Sequence, residues 1–312
     1  PATGEILASA TVKRSSDGTV HISSEHRSVT WTYEPGSIIK PLTFSAILDR
    51  AVAAPHTVRK VAPRLTVHDA TFSDTPFHET EEFTVAEIVR RSSNVGTILW
   101  SLELGPEALH EQLREFGLGS VTDLDFPGEA RGILPAVGEW SGTSLPTIAI
   151  GQGVSTTPLQ MLTAYAALAN DGIRPAPTLV LGTRDDRGVL DSRRPGPSMT
   201  VVPAAVAAEV VAMMEQVVAT GTGTRGQVPG YRVAGKTGTA WKPSPTGGYG
   251  SKDDRAYVAS FAGFLPAEAP QLAVLVVVDE PSGLAYSGGR VAAPVFAQFA
   301  RFAVRQLRIP AE

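Results

Sequence analysis

A serine and a lysine three positions apart, Ser37-Ile38-Ile39-Lys40, put a hydroxyl and an amine on one side of a helix, where the amine can take the hydroxyl's proton. Serine becomes a nucleophile only when a base removes that proton. Lysine serves as the base only when neutral, a state favoured by burial and by nearby positive charge. Two further runs offer complementary groups. Ser92-Ser93-Asn94 brings a hydroxyl that can relay a proton and an amide that can hold a peptide bond by donor and acceptor together. Lys236-Thr237-Gly238-Thr239 brings a cation, two hydroxyls and a glycine that admits another backbone, a receptor suited to a peptide carboxylate. Each run alone also reads as ordinary structure: a capping serine before a surface lysine, a helix cap, a strand end turning at glycine. Their joint occurrence, in this order and in suitable local structure, is specific.

The elements that must position these groups can be read from the pattern. Residues 5–24 suggest two short strands joined at Ser15-Ser16-Asp17-Gly18, an edge hairpin. Residues 37–53 keep Ile38, Leu42, Ala46 and Ala53 near one helical face, and Pro41 is tolerable only in a first turn, which places Ser37 at the helix start. Helical patterns over 84–93 and 95–104 are interrupted at Ser92-Ser93-Asn94, whose side chains compete for backbone hydrogen bonds. Another helix over 106–116 is closed by Gly117, and Thr157-Pro158 caps and opens one running to Gly172. Residues 184–198 read as an exposed connector. Pro203 opens a helix with Val206, Val210, Met214 and Val217 on one face, ended at Gly221. Strands are expected over 231–236, with the Lys236 run at its end, over 256–264, and over the wholly apolar 272–278, which reads as a central strand. The last helix carries Phe296, Phe299, Ala300, Ala303, Val304 and Leu307 at helical spacing. Residues 241–254, rich in Gly, Pro and Ser, read as a long loop beside the Lys236 strand and are expected to act as a lid.

The order of elements predicts an α+β fold in a single domain, residues 1–312. Its antiparallel sheet, flanked by helices, is assembled from both ends, roughly 1–50 and 200–312, around a helical subdomain at roughly 51–199. A cleft between the two parts is the natural site. The 312 residues, 43% hydrophobic and 19% charged, suit a self-sufficient folded unit. A formal charge of −4 advertises no grip on nucleic acid. The absence of cysteine removes disulfides, thiolate metal sites and thiol catalysis, so any nucleophile is an oxygen or an amine. The six histidines show no compact ligand spacing, and no metal or cofactor is expected. Gly221-Thr222-Gly223-Thr224-Arg225-Gly226 follows a helix and precedes a strand, the reverse of a dinucleotide-binding context, and reads as a turn.

The three runs together resemble the signature of penicillin-binding proteins and serine β-lactamases. The resemblance extends to Glu34-Pro35-Gly36-Ser37, to Asn94-Val95-Gly96, and to Gly151-Gln152-Gly153 with Thr157-Pro158-Leu159-Gln160. It continues through Ala234-Gly235-Lys236-Thr237-Gly238-Thr239-Ala240, residues 257–261, Asp279-Glu280-Pro281 and residues 292–296. Along nearly its whole length the chain is similar to class B penicillin-binding proteins, within them most to the cell-division (septal) peptidoglycan D,D-transpeptidase type. That resemblance implies the penicillin-binding, serine β-lactamase-like transpeptidase fold. It implies that Ser37 attacks the D-Ala-D-Ala amide, Lys40 accepts its proton and Ser92 helps return a proton to the departing D-Ala. It assigns Asn94 to the substrate amide, Lys236, Thr237 and Thr239 with Gly238 to the terminal carboxylate, and the backbone N–H groups of Ser37 and Thr239 to an oxyanion hole. Implied partners are the peptidoglycan stem peptide, β-lactam antibiotics and a divisome or glycosyltransferase partner. An extracytoplasmic catalytic domain is implied, preceded in the natural protein by a pedestal and a membrane anchor. A D,D-carboxypeptidase, a β-lactamase or a penicillin-sensing domain would share the fold. Ile38-Ile39 stand where relatives often carry a hydroxyl or an aromatic residue, so a differently shaped cleft floor is expected.

Overall fold

The computed structural model describes residues 1–122, 124–192, 196–244, 247–250, 255–283 and 285–311. From the N-terminus, β1 (Thr11–Arg14) and β2 (Val20–Ser23) pair as the expected hairpin, and a single turn, α1 (Arg27–Thr30), leads toward a 3-10 turn at Gly36–Ile39 that runs into α2 (Lys40–Asp49). Pro41 has no N–H to give the Ser37 carbonyl. Lys40 donates to it instead, one residue earlier, which is why the first turn is 3-10. The segment expected to be helical opens with four short strands: β3 (Val58–Val61), β4 (Arg64–Val67), β5 (Ala70–Ser73) and β6 (Glu81–Thr84). They form two antiparallel pairs, β3 with β6 and β4 with β5. The helices α3 (Val85–Arg91), α4 (Asn94–Leu104), α5 (Pro106–Glu115), α6 (Ser144–Ala149) and α7 (Pro158–Leu168) follow. Reciprocal capping boxes, Thr84 with Glu87 and Thr157 with Gln160, start α3 and α7 where the sequence pattern places them.

Two small pairs come next, β7 (Ile173–Arg174) and β8 (Gly182–Arg184) with their respective partners β10 (Met199–Thr200) and β9 (Leu190–Ser192). Part of the expected connector over 184–198 is therefore a hairpin, and residues 193–195 lie outside the described ones. The chain then forms α8 (Ala204–Thr220), β11 (Ala234–Trp241), β12 (Tyr257–Leu265), β13 (Leu272–Asp279) and α9 (Gly288–Gln306). Among the described residues no helix is long and apolar enough to cross a membrane.

The main sheet is antiparallel with strand order β11-β12-β13, and Lys236 faces Ala262 while Thr239 faces Ala259 in its register. Three expectations change here. Among the described residues the sheet draws its strands from the C-terminal third alone; the β1–β2 hairpin pairs only with itself. The first strand begins at Ala234 instead of 231, so Lys236–Thr239 lie within β11 and not at its end. The apolar run 272–278 is an outer strand, because β12 takes the middle. Its continuous apolarity has another cause. Leu272, Val274, Val276 and Val278 pack into the core shared with α9, and Ala273, Leu275 and Val277 pack into the core centred on α2. A strand covered on both faces carries no polar alternation whether or not it is central. On α9, Phe296, Ala300, Ala303 and Val304 are buried as expected, whereas Phe299 and Leu307 are exposed.

The second core turns on Phe261 of β12, whose ring lies 4.6 Å from that of Phe296 of α9. A Cβ added at Gly223, Gly226, Gly235 or Gly263 would fall 3.2, 2.5, 2.8 or 3.2 Å from this ring. Four side-chain-free positions thus make its seat, one of them directly before Lys236. Truncating Phe261 to alanine would empty that seat and is expected to lower stability by about 3–5 kcal/mol. Urea unfolding of Phe261→Ala checks this, and a loss below about 1 kcal/mol would show that the seat collapses freely.

Candidate active site

Between Pro35 and Leu48 every residue is buried except Ser37. The turn bearing it is held from outside. Gly36 N–H donates to the Gly151 carbonyl at 2.8 Å, and the Tyr165 hydroxyl donates to the Ile38 carbonyl at 2.8 Å. Gly36 has φ +57°, and a Cβ there would press on Thr239 and Ala240 at 3.1–3.2 Å, so a glycine is needed for the turn to lie against β11. As the second residue of its helix, Ser37 carries one of the N–H groups that no helical carbonyl can reach. Ile38 and Ile39 have no exposed surface and belong to the core, so they do not shape the cleft floor as expected.

Beneath Ser37 two amines meet at one hydroxyl. Lys40 Nζ donates to the Ser92 carbonyl at 2.6 Å and to Asn94 Oδ1 at 2.7 Å, with Ser92 Oγ at 3.4 Å. Lys236 Nζ donates to Ser92 Oγ at 2.7 Å and to the Thr237 carbonyl at 3.1 Å. Both lysines have no exposed surface, while Ser37, Ser92 and Asn94 reach solvent. Burial draws the Lys40 amine down to about 7, against the opposing pull of the Asp74 charge. Burial also drives Lys236 well below its ordinary value, and the Lys40 charge adds to the fall. A neutral Lys40 would spend its two N–H bonds on the Ser92 and Asn94 oxygens and keep its lone pair for another proton. Among the described residues no hydrogen bond engages Ser37 Oγ, so Lys40 is bonded to the opposite wall of the cleft and not to the serine three residues before it.

That wall is the corner between α3 and α4. Ser92 ends α3 in a left-handed conformation, φ +61°, and Ser93 caps α4 by accepting the Gly96 N–H at 2.8 Å. The corner is held by Asp74, the residue after β5. Its Oδ1 accepts the N–H groups of Asn94 at 2.5 Å and Val95 at 2.9 Å; its Oδ2 accepts the Ser93 hydroxyl at 2.5 Å and faces His78 Nε2 at 3.0 Å. Asn94 Nδ2 donates to the Ser73 carbonyl at 3.0 Å, which turns Oδ1 toward Lys40.

On the facing wall, β11 presents the third run. Thr237 is buried and shares a hydrogen bond of 2.7 Å with the Thr222 hydroxyl; Thr239 is partly exposed and its Oγ1 accepts the Gly288 N–H at 3.1 Å. A Cβ at Gly238 would strike Ser260 Oγ at 2.3 Å and the Pro35 carbonyl at 2.9 Å. Gly238 is therefore required by internal packing of the Ser37 turn on β11, a stricter demand than the expected approach of another backbone. Lys236, expected as a cation at a strand end, sits inside the protein and meets the cleft through Ser92. Of the expected lid, residues 245, 246 and 251–254 lie outside the described ones. Its Tyr249 donates to both oxygens of Glu34, at 3.1 and 3.0 Å, and Glu34 also accepts the Gly153 N–H.

The fold thus brings Ser37, Lys40, Ser92, Asn94 and Lys236 together from three distant segments, with Thr239 beside them. Asp74 was not anticipated. It lies in a loop 18 positions before Ser92, outside any periodic pattern; the available signal was the Asp74–His78 pair at i, i+4 and a helix N-terminus at Asn94 in want of an anion.

Comparison with known proteins places these residues in context. The family described as penicillin binding protein transpeptidase domain matches residues 1–301. The chain is 33% identical to penicillin-binding protein PbpB of Mycolicibacterium smegmatis, over 99% of this chain and 49% of that protein. It is 34% identical to peptidoglycan D,D-transpeptidase FtsI of Escherichia coli K12, over 98% of this chain and 50% of that protein. The chain spans about half the length of the curated relatives it matches. Its structure is similar to penicillin-binding protein 3 of Mycobacterium tuberculosis complexed with aztreonam, with a TM-score of 0.86 and 33% identity over 93% of this chain and 66% of that one. It is also similar to the transpeptidase domain of Burkholderia pseudomallei penicillin-binding protein 3, with a TM-score of 0.83 and 32% identity over 100% and 87% of the two chains. One-third identity along almost its whole length, on the expected sheet-and-helix fold, shows that the chain belongs to the penicillin-binding protein transpeptidase domain family.

Proposed function

We propose that this chain is the catalytic domain of a peptidoglycan D,D-transpeptidase of septal cell-wall synthesis, acylated by β-lactams at Ser37. The observation that carries the reading is the lone accessible serine of a buried helical turn, set beside two buried amines joined through Ser92. Relatives named as peptidoglycan D,D-transpeptidases and as penicillin-binding proteins, one of them solved with aztreonam, support the substrate and inhibitor classes. They also support action outside the cytoplasm; a membrane anchor that tethers the chain and a divisome or glycosyltransferase partner that engages it are part of the proposal.

In the proposed reaction Ser37 Oγ attacks the carbonyl carbon between the two D-Ala residues while Lys40 Nζ takes its proton. The negative oxygen of the tetrahedral intermediate is met by the N–H groups of Ser37 and Thr239. As the C–N bond breaks, the leaving amine receives a proton from Lys40 by way of Ser92 Oγ, and an ester remains on Ser37. The amine of a neighbouring stem peptide then attacks that ester, returns the proton by the same path and frees Ser37. Asn94 holds the substrate amide. Thr237, Gly238 and Thr239 face the carboxylate, and Lys236 supports it from behind, where an arriving anion would favour the charged amine.

The test is intact mass against time after adding a penicillin. A lasting adduct on the wild type and none on Ser37→Ala are expected; an adduct that vanishes within seconds would identify a β-lactamase, and equal labelling of Ser37→Ala would refute the assignment. Lys40→Ala is expected to slow acylation by about 10²–10⁴-fold, the usual worth of a general base. Acylation by the wild type should rise with pH through about 7, because Lys40 acts only once its proton has left. A rate flat from pH 5 to about 9 would contradict that role. Lys236→Ala is expected to lower the acylation rate by about 10–100-fold, the range for loss of a hydrogen bond to a charged group; unchanged kinetics would count against it.

A further inference from the structure

The Asp74 carboxylate has four partners. Three are the corner itself: the N–H groups of Asn94 and Val95 and the Ser93 hydroxyl. The fourth, His78, faces an acceptor at each ring nitrogen, Asp74 Oδ2 at Nε2 and the Glu79 carbonyl at Nδ1. Two acceptors require two N–H donors, so the geometry selects the imidazolium. Asp74 is 4% exposed and His78 11%, so the pair is largely withdrawn from solvent. Burial pulls His78 down, but its bonds to Asp74 and Glu79 and the charges of Asp74 and Glu81 more than offset this and leave it raised. Ser92 and Asn94 have roles in acyl transfer only while something keeps them opposite Lys40.

We propose that Asp74, charge-compensated by His78, is a positioning residue of the acyl transfer. It locks the Ser92–Asn94 corner against Lys40 and sets the pH at which Lys40 becomes a base. The inference rests on the acyl-transfer reading. The locking follows from the bonds: release of Oδ1 frees the first turn of α4, and with it the Asn94 side chain and the Ser92 carbonyl that hold Lys40 Nζ. The electrostatic part follows from the charges facing Lys40. The one that bears on its ammonium form is Asp74 from the loop after β5, which favours it against burial, while Lys236 of β11, the other amine at Ser92, is itself lowered by burial and by the Lys40 charge. His78 in turn faces the charges of Asp74 and of Glu81 of β6, while Arg91 of α3 pairs with Glu81 at 3.9 Å. With His78 protonated the carboxylate is partly neutralised; without that cation its full charge falls on Lys40.

Opposite signs follow for two substitutions. Asp74→Asn removes the charge, so Lys40 loses its proton more readily and the acid limb of acylation moves to lower pH. The maximal rate falls up to about 100-fold as the corner loosens. His78→Gln keeps a donor toward Asp74 but removes the cation, so the acid limb moves to higher pH, with a smaller loss of maximal rate. The experiment is stopped-flow acylation by a fluorescent penicillin from pH 5 to 10, on wild type, Asp74→Asn, Asp74→Glu and His78→Gln, with unfolding midpoints measured alongside. Limbs displaced in opposite directions, with Asp74→Glu returning the limb toward the wild-type pH, support the inference. Limbs that stay in place while rates and midpoints fall together would overturn it and make Asp74 a fold residue alone. Should Asp74→Asn not fold, His78→Gln decides: an upward displacement supports the inference and an unmoved limb overturns it. A wild type that is not acylated at Ser37 would overturn the transpeptidase reading, and this inference with it.

Discussion

Two primary amines taken wholly out of water beside one hydroxyl set the terms for everything around them. An isolated buried ammonium is so costly that the group surrenders its proton or finds compensation. Here two such groups share Ser92, and the nearest carboxylate, Asp74, is already engaged by a helix N-terminus and an imidazole. Lys40 can therefore give up its proton near neutrality, where a solvent-exposed lysine could not. Burial, ordinarily a reason to exclude lysine from a core, supplies the reactivity.

Meeting that constraint requires three separate segments to converge with little tolerance. Lys40 comes from the first turn of the most buried helix, Ser92 from a left-handed residue between two helices, and Lys236 from the outer strand of the sheet. Their approach depends on small residues where backbones meet. Gly36 and Gly238 leave the room in which the Ser37 turn lies on β11, and Gly235 leaves room for Phe261 beneath it. The two cores on either face of β12 and β13 keep the sheet from shifting relative to α2. Near its surface the same sheet is tied by Asp279, which pairs with Arg27 at 3.2 Å and Lys242 at 2.9 Å.

What could be read in the sequence divides along physical lines. Local chemistry was legible. The proline at position 41 placed Ser37 in a first turn, Thr157 and Pro158 are the cap and first residue of α7 as expected, and the helix expected from Thr84 starts one residue later with Thr84 as its cap. The Ser92–Asn94 interruption appears as the corner it suggested. Pattern became misleading where tertiary cover decided the outcome. The apolar run of β13 reflects helices on both its faces, and Phe299 and Leu307 keep helical spacing while lying off the buried stripe of α9. The four short strands β3–β6 are too brief and polar to show a period. Asp74 was invisible for a different reason. Its importance lies in partners 19 to 21 positions away, which the nearby His78 at i+4 does not by itself point to.

The central claim, that burial leaves Lys40 able to act as a base near neutral pH, is open to direct observation. The protein would be labelled with 15N at the lysine side chains, and the Nζ resonance of Lys40, assigned with the Lys40→Arg variant, followed against pH. The account predicts that this amine loses its proton at about 7. A Lys40 that remains an ammonium up to about pH 10, as a lysine in water does, would contradict it.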